Sequence, residues 1–291
     1  MRRRRLLTTM LAVTALGISA LMGAAPAMAD DPPPSGAPYV AMGDSEAAGT
    51  GNLPYVDAGC MRSAKSYPLL LGAASSACAG ATVRSLLPEL GYPGQFGDLG
   101  PATRLVTITV GANDIGWLNT VIACTSGTAA ECAAAQLVTA QGLAQLPGTI
   151  RTLVTAVHSV APAARILVTG YPVLFGPVTN SCSIGAYQGT PVKVTAEQAA
   201  LANLLITAFP APENNYLVGL NTAIQFGVFS ADIEQAHYVD LTQAFAGHAL
   251  CDSGDRWISG LVSGKKTADR GLHINAPGQQ AVAGILAPFL P

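Results

Sequence analysis

The sequence is short of charge. Only 11% of its 291 residues are Asp, Glu, Lys or Arg, against roughly 25% in an average protein. Aromatic residues make up 6%, with Trp117 and Trp257 the two tryptophans. Histidine occurs four times, at His158, His237, His248 and His273. Beyond Arg2–Arg5 there is no cluster of Lys and Arg, which argues against a nucleic-acid partner. No two cysteines are spaced as C-x-x-C, which disfavours a zinc knuckle. No other ligand cluster stands out, so neither a metal nor an organic cofactor is expected. There is no internal repeat and no low-complexity block.

What is present begins with an export pattern. Met1 is followed by four arginines, then by a mostly apolar run from Leu6 to about Ala25, and Ala27-Met28-Ala29 supplies an A-x-A cleavage motif. Charged start, apolar middle and small-residue end are the three parts of a secretory signal peptide. The run is nearly long enough to cross a bilayer. However, Thr, Ser and Gly interrupt it and a cleavage motif closes it, so it reads as a signal and not as a stable membrane anchor. The arginines before Leu6-Leu7 also give a weak twin-arginine signal. The expected organisation is a signal peptide at 1–29, a Pro-rich linker at 30–38 and one domain at 39–291, secreted and monomeric. Removing residues 1–29 takes four of fifteen basic groups and no acidic ones. Eleven basic groups then face seventeen acidic ones, a net charge of −6.

Cys60, Cys78, Cys124, Cys132, Cys182 and Cys251 follow the signal. An even count in an exported chain reads as disulfides. Six cysteines allow fifteen pairings, and the sequence alone does not choose among them. The sequential pairing 60–78, 124–132, 182–251 is the expectation, its first two loops being short and local.

Short apolar runs alternate with Ala/Leu-rich stretches. Tyr39–Met42, Arg104–Val110, Arg165–Thr169 and Tyr238–Leu241 read as strands. Ala129 to His158 reads as helix, broken near Pro147. Thr195 to about Phe229 reads as a second, interrupted at Pro210 and Pro212, and Ala276 to Leu286 as the last, with Asn275 as N-cap. Strand and helix in alternation predict a parallel sheet covered on both faces. Such sheets bind ligands beyond the carboxyl ends of their strands, which directs attention to the residues after Met42 and Val110.

Gly43-Asp44-Ser45 ends the first strand. A serine there can point its hydroxyl into the crevice, but it is a poor nucleophile without an adjacent base. Alone, the tripeptide is an ordinary turn and helix cap. Gly111-Ala112-Asn113-Asp114 ends the strongest strand. The Asn113 amide can donate to a developing oxyanion, although alone it reads as an Asx-turn. His273 lies in Asp269-Arg-Gly-Leu-His273-Ile-Asn-Ala-Pro-Gly278, just before the last helix. His158 and His237 read as structural. His248, in a loop near Cys251, is the competing base.

Taken together these segments resemble the SGNH/GDSL hydrolase superfamily, in particular its secreted actinobacterial lipases and esterases, over essentially the whole chain after the signal. Tyr39-Val-Ala-Met-Gly-Asp-Ser45 looks like the block that carries the nucleophile. Cys78-Ala-Gly80-Ala-Thr82 looks like the block whose glycine amide helps bind the oxyanion. Val106 to Asp114 looks like the block whose asparagine is another donor, and Asp269 to Gly278 like the one that carries the histidine. The resemblance implies an α/β fold, a three-layer α/β/α sandwich around a mostly parallel five-stranded sheet. It also implies a carboxylic ester hydrolase with a small-molecule or lipid ester substrate. Ser45 would be the nucleophile and His273 the base. The amides of Ser45 and Gly80 and the Asn113 side chain would form the oxyanion hole. The Gly-x-Ser-x-Gly elbow of α/β-hydrolase lipases is missing.

Three positions depart from the family pattern. The acid usually stands three residues before the histidine, where this chain has Arg270; Asp269 lies four before. Either Asp269 reaches the imidazole, or a backbone carbonyl near Arg270 orients it and leaves a Ser-His dyad, which is the preferred reading. Ile274 stands where a proline often follows the histidine. Glu46 stands where a hydrophobic or aromatic residue commonly follows the nucleophile; it could hold a substrate group, but a solvated acid at a helix start is the simpler reading. The alternatives to a lipid or short-acyl esterase are a carbohydrate acetylesterase and a catalytically inactive binding protein on the same fold.

Overall fold

The β-branched run that ends at Val110 becomes the middle of the sheet. The computed structural model describes residues 35–89, 94–187, 189–207, 219–261 and 270–291. The predicted signal peptide and most of the linker, Pro210, Pro212 and Asp269 lie outside them. In chain order the elements are β1 (Tyr39–Gly43), α1 (Ser45–Ala48), β2 (Tyr55–Asp57), β3 (Arg62–Ser63), α2 (Tyr67–Leu70), β4 (Ala74–Ser75), α3 (Val83–Leu86) and β5 (Leu105–Thr109). They continue with α4 (Trp117–Ser126), α5 (Ala129–Val160), β6 (Arg165–Thr169), β7 (Ser181–Tyr187), β8 (Thr190–Thr195), α6 (Ala196–Thr207), α7 (Leu220–Phe229), β9 (Ala236–Val239) and α8 (Ala276–Leu286). Five strands form one sheet in the order β4-β1-β5-β6-β9. Every neighbouring pair in it is parallel.

The layers follow from the two-residue period of a strand. Val40, Met42, Val106, Ile108, Ile166 and Val168 face one side and pack with residues of α5 and α7. Tyr39, Ala41, Leu105 and Leu167 face the other and pack with residues of α2 and α8. The second face also buries polar groups, and these are paired. Tyr39 Oη meets Thr107 Oγ1 at 3.0 Å, and Thr109 Oγ1 meets both Tyr67 Oη at 2.8 Å and Thr169 Oγ1 at 2.7 Å. The result is the expected α/β/α sandwich.

Local details differ from the sequence reading in several places. The helix over 129–160 is not broken at Pro147. Leu143, Leu146, Ile150, Leu153 and Val154 are buried on both sides of the proline, and that burial outweighs one lost backbone bond. The last strand runs over 236–239, two residues earlier than predicted, because its register is set by Ile166↔Ala236 and Thr169↔Val239. His237 therefore lies within it. Beyond it, Asp240 turns the chain by accepting the N–H and hydroxyl of Thr242. The edge strand β4 is only two residues long, too short to leave a period in the sequence. Asn275 caps α8 as expected, accepting the Gly278 N–H at 3.1 Å. The cysteines pair sequentially as Cys60–Cys78, Cys124–Cys132 and Cys182–Cys251.

Candidate active site

Three neighbouring strands deliver the site residues from the same end of the sheet. β4 leads to Gly80, β1 to Ser45 and β5 to Asn113, all past carboxyl ends, with Gly43 level with Thr109 in the register. Gly43 makes the turn out of β1 at φ +143; a Cβ there would sit 2.2 Å from the Thr109 carbonyl oxygen. The buried Gln95 amide holds the same residue from the side. Its Oε1 accepts the Gly43 N–H at 2.7 Å and its Nε2 donates to the Gly43 carbonyl at 2.9 Å.

Ser45 then opens α1, with Asp44 as N-cap accepting the Glu46 N–H at 3.0 Å. Asp44 is buried and its other oxygen accepts the Tyr171 hydroxyl. That hydroxyl in turn accepts the Ala112 N–H at 3.2 Å. The chain Ala112–Tyr171–Asp44 thus links the asparagine segment to the serine segment. Burial pushes the Asp44 carboxyl up to about 7, against the opposing pull of the Tyr171 and Glu46 hydrogen bonds.

His273 Nε2 lies 2.8 Å from Ser45 Oγ. With a proton on Nδ1, Nε2 is the acceptor and the serine hydroxyl the donor, the pairing an activated nucleophile needs. His248, the competing base, is occupied elsewhere. It stacks on Trp257 with ring centroids 3.7 Å apart, and its Nδ1 lies 2.6 Å from the Asp255 carbonyl. His158 sits on α5 and His237 in β9.

The glycine and asparagine are held to each other. Asn113 Nδ2 donates to the Ala81 carbonyl at 2.9 Å. Asp114 accepts the Val83 N–H with both oxygens at 3.1 Å, and burial raises its carboxyl to about 6. Two adjacent side chains therefore fix the turn that contains Gly80. That glycine has φ +80 and open space where a Cβ would be. The backbone conformation, and not crowding, calls for glycine there. An amide of Asn113 has two N–H donors, and the bond to Ala81 uses one.

Arg270, standing where the resembling family carries its acid, does something else. Its Nε donates to the Gly51 carbonyl at 2.8 Å. The Arg270 carbonyl accepts the backbone N–H of His273 at 3.1 Å. Asn52 Nδ2 donates to the Ile274 carbonyl at 2.9 Å. The histidine segment is thus bound to the loop after the nucleophile.

Glu46 corrects the sequence reading. It is not a solvated acid at a helix start but a buried one. Its Oε2 accepts the Ile274 N–H at 3.1 Å, and its carbonyl accepts Gln279 Nε2 at 2.9 Å. Burial, with Asp44 nearby, pushes the carboxyl up to about 8, and the Ile274 N–H opposes this. Glu46, Ala112, Trp117, Tyr171, Leu272 and Ile274 line a partly open cavity of about 20 Å³. That is room for a water beside the Glu46 carboxyl. Sequence reading missed Gln95, Tyr171, Asn52 and Gln279. Each is a lone polar residue whose partner lies far away in the chain, and no local spacing marks it.

Comparison with known proteins places the chain in a family. Residues 41–281 match the GDSL-like Lipase/Acylhydrolase family. Lipase 1 of Streptomyces coelicolor is 30% identical over 272 residues, which cover 89% of this chain and 88% of that one. A lipase of Streptomyces rimosus is 30% identical over 252 residues, 83% of this chain and 82% of that one. The crystal structure of the extracellular lipase from Streptomyces rimosus matches with a TM-score of 0.66 at 28% identity, over 86% of this chain and 98% of that one. Phospholipase A1 from Streptomyces albidoflavus matches with a TM-score of 0.67, also at 28% identity, over the same shares. The chain belongs to the GDSL-like lipase/acylhydrolase family and is a carboxylic ester hydrolase.

Proposed function

We propose that the chain is a secreted enzyme that cleaves lipid or short-chain acyl esters through an acyl-enzyme on Ser45. The observation that carries this reading is the 2.8 Å contact between Ser45 Oγ and His273 Nε2 at the carboxyl end of the sheet. His273 takes the serine proton as Oγ attacks the ester carbonyl, then returns it to the leaving alcohol. The carbonyl oxygen gains negative charge as the bond to Oγ forms. The amides of Ser45 and Gly80 and the Asn113 side chain meet that charge, three donors already fixed before substrate arrives. Water activated by the same histidine then releases the acid and restores the hydroxyl.

The site reads as a Ser-His dyad in which the backbone near Arg270, and not Asp269, orients the imidazole; Arg270 Nε, donating to the Gly51 carbonyl, anchors that stretch of backbone. Secretion follows from the amino-terminal pattern. Among the described residues no helix is long and apolar enough to cross a membrane.

The test is hydrolysis of p-nitrophenyl acetate, butyrate and palmitate by the chain from Asp30 onward, beside Ser45→Ala. Hydrolysis that vanishes in the variant is expected, and the chain-length profile separates esterase from lipase. Undiminished hydrolysis in Ser45→Ala would reject the assignment.

A further inference from the structure

The residue after the nucleophile and the residue after the base are bonded to each other. Glu46 Oε2 accepts the Ile274 N–H at 3.1 Å across 228 positions of chain. Placing a carboxyl where it is 9% exposed is costly unless it is hydrogen-bonded. An apolar side chain at 46 would fill the space without that cost. The hydrogen bond is what the carboxyl adds.

What the bond holds matters more than the bond itself. His273 stands between Leu272, at φ +65, and Ile274, whose regular pairing is a single bridge to Ile258. Backbone bonds to residues 257–259 hold one side of this segment: the Leu272 N–H donates to the Ser259 carbonyl at 2.9 Å, the Ser259 N–H to the His273 carbonyl at 2.8 Å and the Asn275 N–H to the Trp257 carbonyl at 2.8 Å. Side chains hold the other side. Arg270 fastens it four residues upstream of Ile274, and Asn52 takes the Ile274 carbonyl. Glu46 takes the N–H that follows His273, and it does so from the helical turn that begins with Ser45. A shift of either segment moves Nε2 relative to Oγ, and a misplacement of about 1 Å can cost about a hundredfold in rate.

Two of the three departures from the family pattern, at positions 46 and 274, therefore meet in one contact. A proline at 274 has no N–H to give, and an apolar residue at 46 could not accept one. We propose that Glu46 is a positioning residue for His273, holding the imidazole against Ser45 through the Ile274 N–H. The inference rests on the reading of Ser45 and His273 as nucleophile and base.

The experiment measures kcat, KM and Tm with p-nitrophenyl butyrate for Glu46→Ala, Glu46→Gln, Ile274→Pro and the Glu46→Ala/Ile274→Pro double variant, with Ser45→Ala alongside. Glu46→Ala is expected to lower kcat about tenfold to a hundredfold, with KM little changed. Glu46→Gln keeps an acceptor oxygen, so its kcat is expected to return to within about threefold of the parent. In the Ile274→Pro background the donor is already gone, and adding Glu46→Ala is expected to change kcat by less than about twofold. A Glu46→Ala kcat equal to the parent's would overturn the proposal. So would a Glu46→Gln kcat as low as that of Glu46→Ala at parental Tm, or simple additivity in the double variant. Should Glu46→Ala or Ile274→Pro fail to melt cooperatively, Glu46→Met against Glu46→Gln decides the question by the same rescue. Full activity in Ser45→Ala would instead reject the underlying nucleophile assignment. A dead Ser45→Ala beside an unaffected Glu46→Ala would reject the positioning role alone.

Discussion

Asn113 Nδ2 donates to the Ala81 carbonyl at 2.9 Å, which ties one expected oxyanion donor to the turn that carries another. On the proposed mechanism the amide's second N–H is the one offered to substrate. Asn113→Ala removes that donor and loosens the Gly80 turn as well. We expect kcat to fall by about 10²–10³, with a smaller change in KM. Steady-state kinetics on a soluble acyl ester checks this, and a loss below tenfold would remove Asn113 from the oxyanion hole.

Tyr171 is a second point of dependence. Its hydroxyl donates to Asp44 and accepts from Ala112. Tyr171→Phe leaves a buried carboxyl oxygen and a buried N–H without that partner, which costs about 1–3 kcal/mol. At about 2–4 °C per kcal/mol for a chain of this size, calorimetry should register the change plainly. An unchanged Tm would show that water replaces the hydroxyl.

Stability should also fall as pH rises. Burial holds the Asp44 carboxyl up to about 7 and the Glu46 carboxyl up to about 8, whereas both groups titrate near 4 in the unfolded chain. The native state therefore binds more protons, and the slope of stability against pH is negative between those limits. The contribution is fully present below about pH 4 and is lost as pH passes through about 7 and 8, by at most about 1.4 kcal/mol per pH unit per group. Thermal melts from pH 5 to 8 should show Tm falling, and Glu46→Gln should flatten the fall. A Tm that rises over this range would contradict the assignment of buried, protonated carboxyls.

The acid of the site gives a fourth expectation. With Arg270 turned to Gly51, Asp269→Asn should lower kcat by less than about tenfold, within the range of an indirect electrostatic effect. A larger loss would place Asp269 on the imidazole and make the site a triad.

The fold was legible where the sequence has a period. Leu105–Thr109 and Arg165–Thr169 are β-branched runs, and both are sheet strands. Legibility failed where tertiary contacts overrode local signals. Pro147 reads as a helix breaker, yet flanking core residues carry the helix through it. β4 is a strand only because β1 lies beside it. In the site, Ser45, Asn113 and His273 stand in motifs with fixed spacing, so sequence could nominate them. Glu46 could not be read correctly, because its environment is made by Ile274 and Gln279 from the other end of the chain. A helix-start acid and a buried acid look the same in one dimension.

The proposed mechanism depends above all on Ser45 acting as a nucleophile activated by His273. The most direct measurement is covalent labelling by diethyl p-nitrophenyl phosphate, with p-nitrophenolate release followed in solution and the modified residue located by mass spectrometry. The expected result is one equivalent released and one label, on Ser45, in the parent chain. Labelling should be slowed by several orders of magnitude in His273→Ala and absent in Ser45→Ala. A folded parent chain that stays unlabelled, or a label on another residue, would contradict it.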